Sequence, residues 1–189
     1  MAWSPDGRHV AATWKDRVVR VWEAATTAPV HELRGHRDDV WGVAWSPDAR
    51  MLASASSDRT VRVVSAADAE VLAVLHGHTN TVWGMAWSPT GTQLATSSTD
   101  GTAIVWDLRP RGAELVLADG HTGPVNQAAR SPEESRFATA SDDRTVRVWD
   151  AATGAATGRV AQLGTGCGAW PGRRRAISSP SVPMTASSG

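Results

Sequence analysis

Histidine, hydroxyl and carboxylate are the three groups of a Ser-His-Asp hydrolase, in which an oriented base takes the proton of a nucleophilic oxygen. In this sequence they recur at regular intervals. His36, His78 and His121 each follow a glycine, and the carboxylates Asp16, Asp58, Asp100 and Asp143 keep the same step. An active site is seldom copied into every structural unit of a chain, whereas an internal fastening belongs in each one. The recurrence points to structure rather than catalysis. His76 and His78 could open a metal site, but zinc needs a third protein ligand and none stands nearby. Cys167 is the single cysteine and has no His or Asp at motif spacing, so a disulfide framework, a thiolate cluster and a Cys nucleophile are all unexpected. Glycine-rich phosphate loops, HExxH and GxSxG do not occur. The expectation is a protein without enzyme activity, cofactor or metal.

The elements that hold these residues are set by a repeat. Ala2-Trp3-Ser4-Pro5 returns 42 residues later as Ala44-Trp45-Ser46-Pro47, again as Ala86-Trp87-Ser88-Pro89, and then, shifted by 43, as Ala129-Arg130-Ser131-Pro132. Gly35-His36, Gly77-His78 and Gly120-His121 keep that period, as do Trp22-Glu23, Val64-Ser65, Trp106-Asp107 and Trp149-Asp150. Within a unit, Val40 to Trp45 is a short apolar run closed by the turn signal Ser46-Pro47-Asp48. Met51 to Ser56 follows, then a turn at Ser57-Asp58-Arg59, then Thr60 to Val64 with alternating Val and polar residues, then Glu70 to Leu75. Alternation of that kind is the mark of half-buried strands. Each unit is expected to be a four-stranded antiparallel meander, too small to bury both faces until copies stack.

Composition narrows the class. The 189 residues carry Lys+Arg 19 against Asp+Glu 19, which gives no excess positive charge for nucleic acid. There is no run of 18 apolar residues, and the N-terminus has no signal-peptide core, so a soluble cytoplasmic protein is expected, with neither membrane nor nucleic acid as partner. Ten Trp, one Phe and no Tyr make nearly all the aromatic mass indole. Lys15 is the only lysine. An Arg-, Ala- and Gly-rich sequence poor in Lys, Tyr and Phe suggests a GC-rich gene and a bacterial source.

The ordered series Gly-His, Ser-Pro-Asp-Gly, Ser-x-x-Asp and Trp-Asp, at one period over about residues 1–163, resembles the WD40 repeat family. The resemblance implies an all-β fold, a fragment of a β-propeller with about four four-stranded antiparallel blades in an incomplete arc. The blades would span about 1–34, 35–76, 77–119 and 120–163. It also implies that the imidazole, hydroxyl, carboxylate and indole form a structural tetrad: His78, Thr96, Asp100 and Trp106 in the third unit, His121, Thr139, Asp143 and Trp149 in the fourth. In the second unit His36, Ser54 and Asp58 have Val64 where the indole should be. In the first, Asp16 and Trp22 have Ala12 in place of the hydroxyl and no preceding Gly-His. These two units should be held less tightly. The family's partner-binding face would be lined by Asp39, Trp41, Ser57, Thr81, Trp83, Thr99, Asn126 and Asp142. Two readings are open for Trp41 and Trp83: indoles offered to a partner, or indoles wedged between blades as core.

Propellers close with about four to eight blades. Four units plus a polar tail are therefore expected to form an open arc with unpaired edges, prone to self-association, and to be a piece of something longer. The function implied is a scaffold that binds a protein or peptide; the competing reading is a truncated or decayed product without independent function, cut from a larger protein such as a bacterial kinase or ATPase with a propeller. The tail, 164–189, is either disordered by composition or a fifth blade read out of frame: shifting the frame forces Ala at Trp170-Pro171 and Asp at Met184-Thr185, where the 42-residue period expects them. Arg173 to Arg175 read as solvated charge.

Overall fold

The structure is a computed structural model that describes residues 1–109, 114–117, 121–131, 133, 135–151 and 153–162. The tail 164–189, with Cys167 and Arg173 to Arg175, lies outside the described residues. Among those described there is no helix. Four antiparallel meanders follow one another. The first is β1 (Ala2–Trp3), β2 (His9–Thr13), β3 (Val19–Glu23) and β4 (Pro29–Leu33), and the second is β5 (Val40–Trp45), β6 (Met51–Ser56), β7 (Thr60–Ser65) and β8 (Val71–His76). The third is β9 (Val82–Trp87), β10 (Gln93–Ser98), β11 (Ala103–Asp107) and β12 (Glu114–Leu117), and the fourth is β13 (Val125–Arg130), β14 (Arg136–Ser141), β15 (Thr145–Asp150) and β16 (Ala156–Gln162). These are the blades of an open arc.

The two-residue period of each strand divides its side chains between two neighbouring blades. Leu52 and Val64 face blade 1, where they meet Ala11, Val19 and Val21. Ala53, Val61 and Val63 point the other way, onto Leu94, Ile104 and Trp106 of blade 3. Ala95, Ala103 and Val105 repeat the pattern against Phe137 and Trp149 of blade 4. Each blade thus buries on its neighbours what it could not bury alone.

Inner strands approach closely at two glycines. A Cβ on Gly42 would lie 2.9 Å from the backbone oxygen of Trp83, and one on Gly84 would lie 3.1 Å from the backbone oxygen of Asn126. The equivalent position in blade 4 is Gln127, which is exposed, because among the described residues no further blade packs there. The repeated Ala-Trp adds a polar tie between blades. Trp87 Nε1 donates to the Ala44 carbonyl at 3.0 Å, and Trp45 Nε1 to the Ala2 carbonyl at 3.3 Å. In blade 4 Arg130 takes this place, donating to Gln93 Oε1 at 2.6 Å and lying 4.8 Å above the Phe137 ring.

Candidate functional site

The turn between the second and third strands of blades 2, 3 and 4 brings its Asp under the histidine that precedes the blade. His78 Nδ1 donates to Asp100 Oδ2 at 3.0 Å, and its Nε2 meets Thr96 Oγ1 at 2.8 Å. Trp106 Nε1 donates to that same oxygen at 2.9 Å. His121 bonds Asp143 at 2.9 Å and Thr139 at 2.7 Å, and Trp149 donates to Thr139 at 2.8 Å. In blade 2, His36 bonds Asp58 at 2.9 Å and Ser54 at 2.9 Å, with Val64 in the indole position. With the imidazole Nδ1–H given to the carboxylate, Nε2 of the neutral ring can only accept, so the threonine hydroxyl donates to it while its oxygen accepts the indole N–H, and the network runs from indole to hydroxyl to imidazole to carboxylate.

The carboxylates take more than the imidazole. Asp58 accepts from the Arg37 and Thr60 backbone N–H groups, both at 2.9 Å, and from the Thr60 hydroxyl at 2.6 Å. Burial pushes the Asp58 carboxyl up, but the donors on Thr60, Arg37 and His36 outweigh it and hold it at about 2. The same balance holds Asp100 and Asp143 well below the ordinary carboxylate range. Burial lowers His36, against the opposing pull of Asp58, and the nearby Arg62 charge lowers it further. The connectivity is that of a hydrolytic triad. In blades 3 and 4, however, the hydroxyl is fully buried and already holds the indole N–H, so a substrate has no path to it.

The rim residues form a second set, on the loop ends of the inner strands. The pairing slips between Val40 and Gly42, between Ser97 and Ser98, and between Val125 and Gln127. Trp41, Trp83 and Asn126 are the extra residues of these bulges, and a bulge re-aims its side chain out of the sheet. Each is tied to the turn residue sixteen positions on: Trp41 Nε1 to Ser57 at 2.7 Å, Trp83 Nε1 to Thr99 at 2.6 Å, and Asn126 Nδ2 to Asp142 at 2.6 Å. Thr81 Oγ1 lies 3.4 Å from Ser57 Oγ, and the Asp39 carbonyl accepts the Ser57 N–H. The Trp41 and Trp83 rings stand 4.6 Å apart across the blade boundary, yet stay 39% and 37% exposed. Both contact a neighbouring blade and both remain open to solvent. Lys15, in the blade 1 position matching Ser57, sits 5.9 Å from the Trp41 ring.

The family model described as WD domain, G-beta repeat, matches residues 1–23, 27–65, 69–107 and 114–150, well over half of the sequence. The chain belongs to the WD40 family. The matched WD40 repeats are offset from the blades: residues 27–65 take β4 of blade 1 together with β5, β6 and β7 of blade 2. One sequence repeat thereby stitches two blades together. No curated protein matches the chain. WD40 domains generally act as scaffolds for protein partners and not as catalysts, in keeping with the buried hydroxyls.

Two further sets of WD40 positions were not singled out from the sequence. Ser56, Ser98 and Ser141 donate to the loop carbonyls of Asp38, Asn80 and Gly123 at 3.0–3.1 Å. Thr60, Thr102 and Thr145 complete the carboxylate's donor set, each at 2.6 Å. Both recur at the 42–43-residue step, so the period alone would have found them. In blade 1 Trp14 replaces the serine and packs edge-on to Trp22 at 5.7 Å, while Asp16 pairs with Arg20 at 2.6 Å. Among the described residues no set of three His, Cys, Asp or Glu could hold a metal ion.

Proposed function

We propose that this chain is a non-catalytic interaction platform that holds a protein or peptide at the rim carrying Trp41, Trp83 and Asn126, with Asp39, Ser57, Thr81, Thr99 and Asp142 around them. The observation that carries this reading is the half-exposed indole pair. Its N–H groups are satisfied by Ser57 and Thr99, so the ring faces stay fixed and need no reordering when a partner arrives. Rigid aromatic area of this kind gives contact at little entropic cost. A net charge of zero favours a protein partner over a polyphosphate. The tetrads serve in this reading as the internal fastenings that keep the rim loops in place. Self-association through the end blades belongs to the same reading.

Capture of interacting proteins on the immobilised chain tests the assignment, comparing the unaltered sequence with a Trp41→Ala, Trp83→Ala double variant. The expected result is loss of the specifically retained species, with a tenfold or greater drop in affinity, since a single such anchor is worth about 2 kcal/mol or more. Equal retention by a folded double variant removes the rim from the function.

A further inference from the structure

Blades 3 and 4 show which chemistry completes the space beside the buried imidazole and hydroxyl. Trp106 stands opposite Leu94 and Trp149 opposite Phe137, each donating its N–H to the threonine and packing near the histidine ring, with centroids 6.4 and 6.2 Å apart. Val64 holds the same register in blade 2, opposite Leu52. A valine has neither ring nor donor. The consequence is a cleft of about 230 Å³ whose lining includes His36, Ser54, Arg62, Val64, Leu33 and Val71.

Three features make this cleft more than a packing fault. Ser54 Oγ bonds His36 but lacks the indole donor that Thr96 and Thr139 receive. Arg62 has a buried Nε without a hydrogen-bond partner among the described residues. The guanidinium of Arg62 lies against Gly35, where a Cβ would come within 2.7 Å of Nη1, so a glycine there leaves it room. The lining is mixed, with Glu32 and Arg34 beside the apolar Leu33, Val64 and Val71; a hollow that combines apolar walls with polar groups is the general form of a small-ligand site, and cavities left by missing side chains take up aromatic molecules.

We propose that the blade 2 cleft is a binding site for a small indole-type heteroaromatic ligand, whose ring replaces the missing side chain and whose N–H donates to Ser54 Oγ. His36 offers its ring as the packing partner, as His78 does to Trp106. Selectivity rests on the donor: a ring of equal size without N–H leaves the Ser54 lone pair unanswered.

The test uses the full chain, with indole and 1-methylindole as probes and thermal melting as the readout. At about ten times Kd, indole should raise the melting temperature of the unaltered protein by roughly 3–5 °C. A Val64→Trp variant fills the cleft from within, so it should melt higher on its own and show no shift with indole. 1-Methylindole should bind about tenfold more weakly, the worth of one lost hydrogen bond. Amide chemical shifts should move at Ser54, Arg62 and Val64. No melting shift, an equal shift in Val64→Trp, equal binding of 1-methylindole, or shifts centred on Trp41 and Trp83 instead would each overturn the site.

Discussion

A hydroxyl between an indole and an imidazole whose other nitrogen gives its proton to a carboxylate has one role: it accepts from the indole and donates to the imidazole. The carboxylate on the far side then receives the imidazole proton, two backbone N–H groups and a threonine hydroxyl, which suits only its ionised form. Blade 2 keeps the carboxylate half of this arrangement without the indole, and its titration should control acid stability there. His36 is lowered by burial, with Asp58 beside it raising it and Arg62 lowering it. A group that binds its proton less well folded than unfolded stabilises the fold above its unfolded value and loses that contribution as pH falls through the folded one. The His36 contribution is therefore full above about pH 6.5 and declines below it. Asp58 follows the same sign lower down, full above its ordinary 3.8 and lost as pH falls toward about 2. Melting curves from pH 8 to pH 2, with hydrogen exchange on β6 and β7, should show a shallow loss below neutrality and a steeper one below pH 4. Stability in blade 2 that rises between pH 7 and pH 5 would contradict this assignment.

Strands pair within a blade through backbone ladders, but blades pair through side chains, and where backbones nearly touch, the side chain must vanish. Gly42 and Gly84 are such points. Gly42→Ala would put a methyl 2.9 Å from the Trp83 backbone oxygen, and a backbone atom cannot swing aside as a flexible side chain can. The blades must part, at a cost of about 1–3 kcal/mol, measurable as a lower denaturation midpoint with an unchanged slope. Gln127→Ala, at the matching position of blade 4, should cost nothing measurable. The four meanders themselves were legible from the sequence, because a two-residue alternation inside a 42-residue period fixes both strand faces and strand order. Val64 was legible too, as a departure from the indole position, though the cleft beside it depends on how far Leu33 and Val71 of the outer strands stand off. The bulges at Trp41, Trp83 and Asn126 were not legible. A bulge is a slip of one strand on its partner, and a period of repeats records no register within the unit. For the same reason the Trp87 bond to Ala44 escaped notice, since it depends on the offset between two sheets and not on either sequence.

Among the described residues, the arc of stacked blades ends in two faces that no further blade covers. In blades 2 and 3 the side chains turned toward the next blade, Ala53, Ala55, Val61, Val63, Ala95, Ala103 and Val105, are buried. Their counterparts in blade 4, Ala138, Ala140, Val146 and Val148, are only half-buried among the described residues. Blade 1 presents the complementary side, with Val10 and Trp22 half-buried and Trp14 exposed. Because every junction in the arc joins these same two kinds of face, blade 4 of one chain and blade 1 of another meet the requirement of a heterologous, head-to-tail contact. Sedimentation velocity over a range of concentrations should therefore show reversible self-association. Val148→Asp, which sets a charge in the middle of the blade 4 face, should abolish it without unfolding the chain.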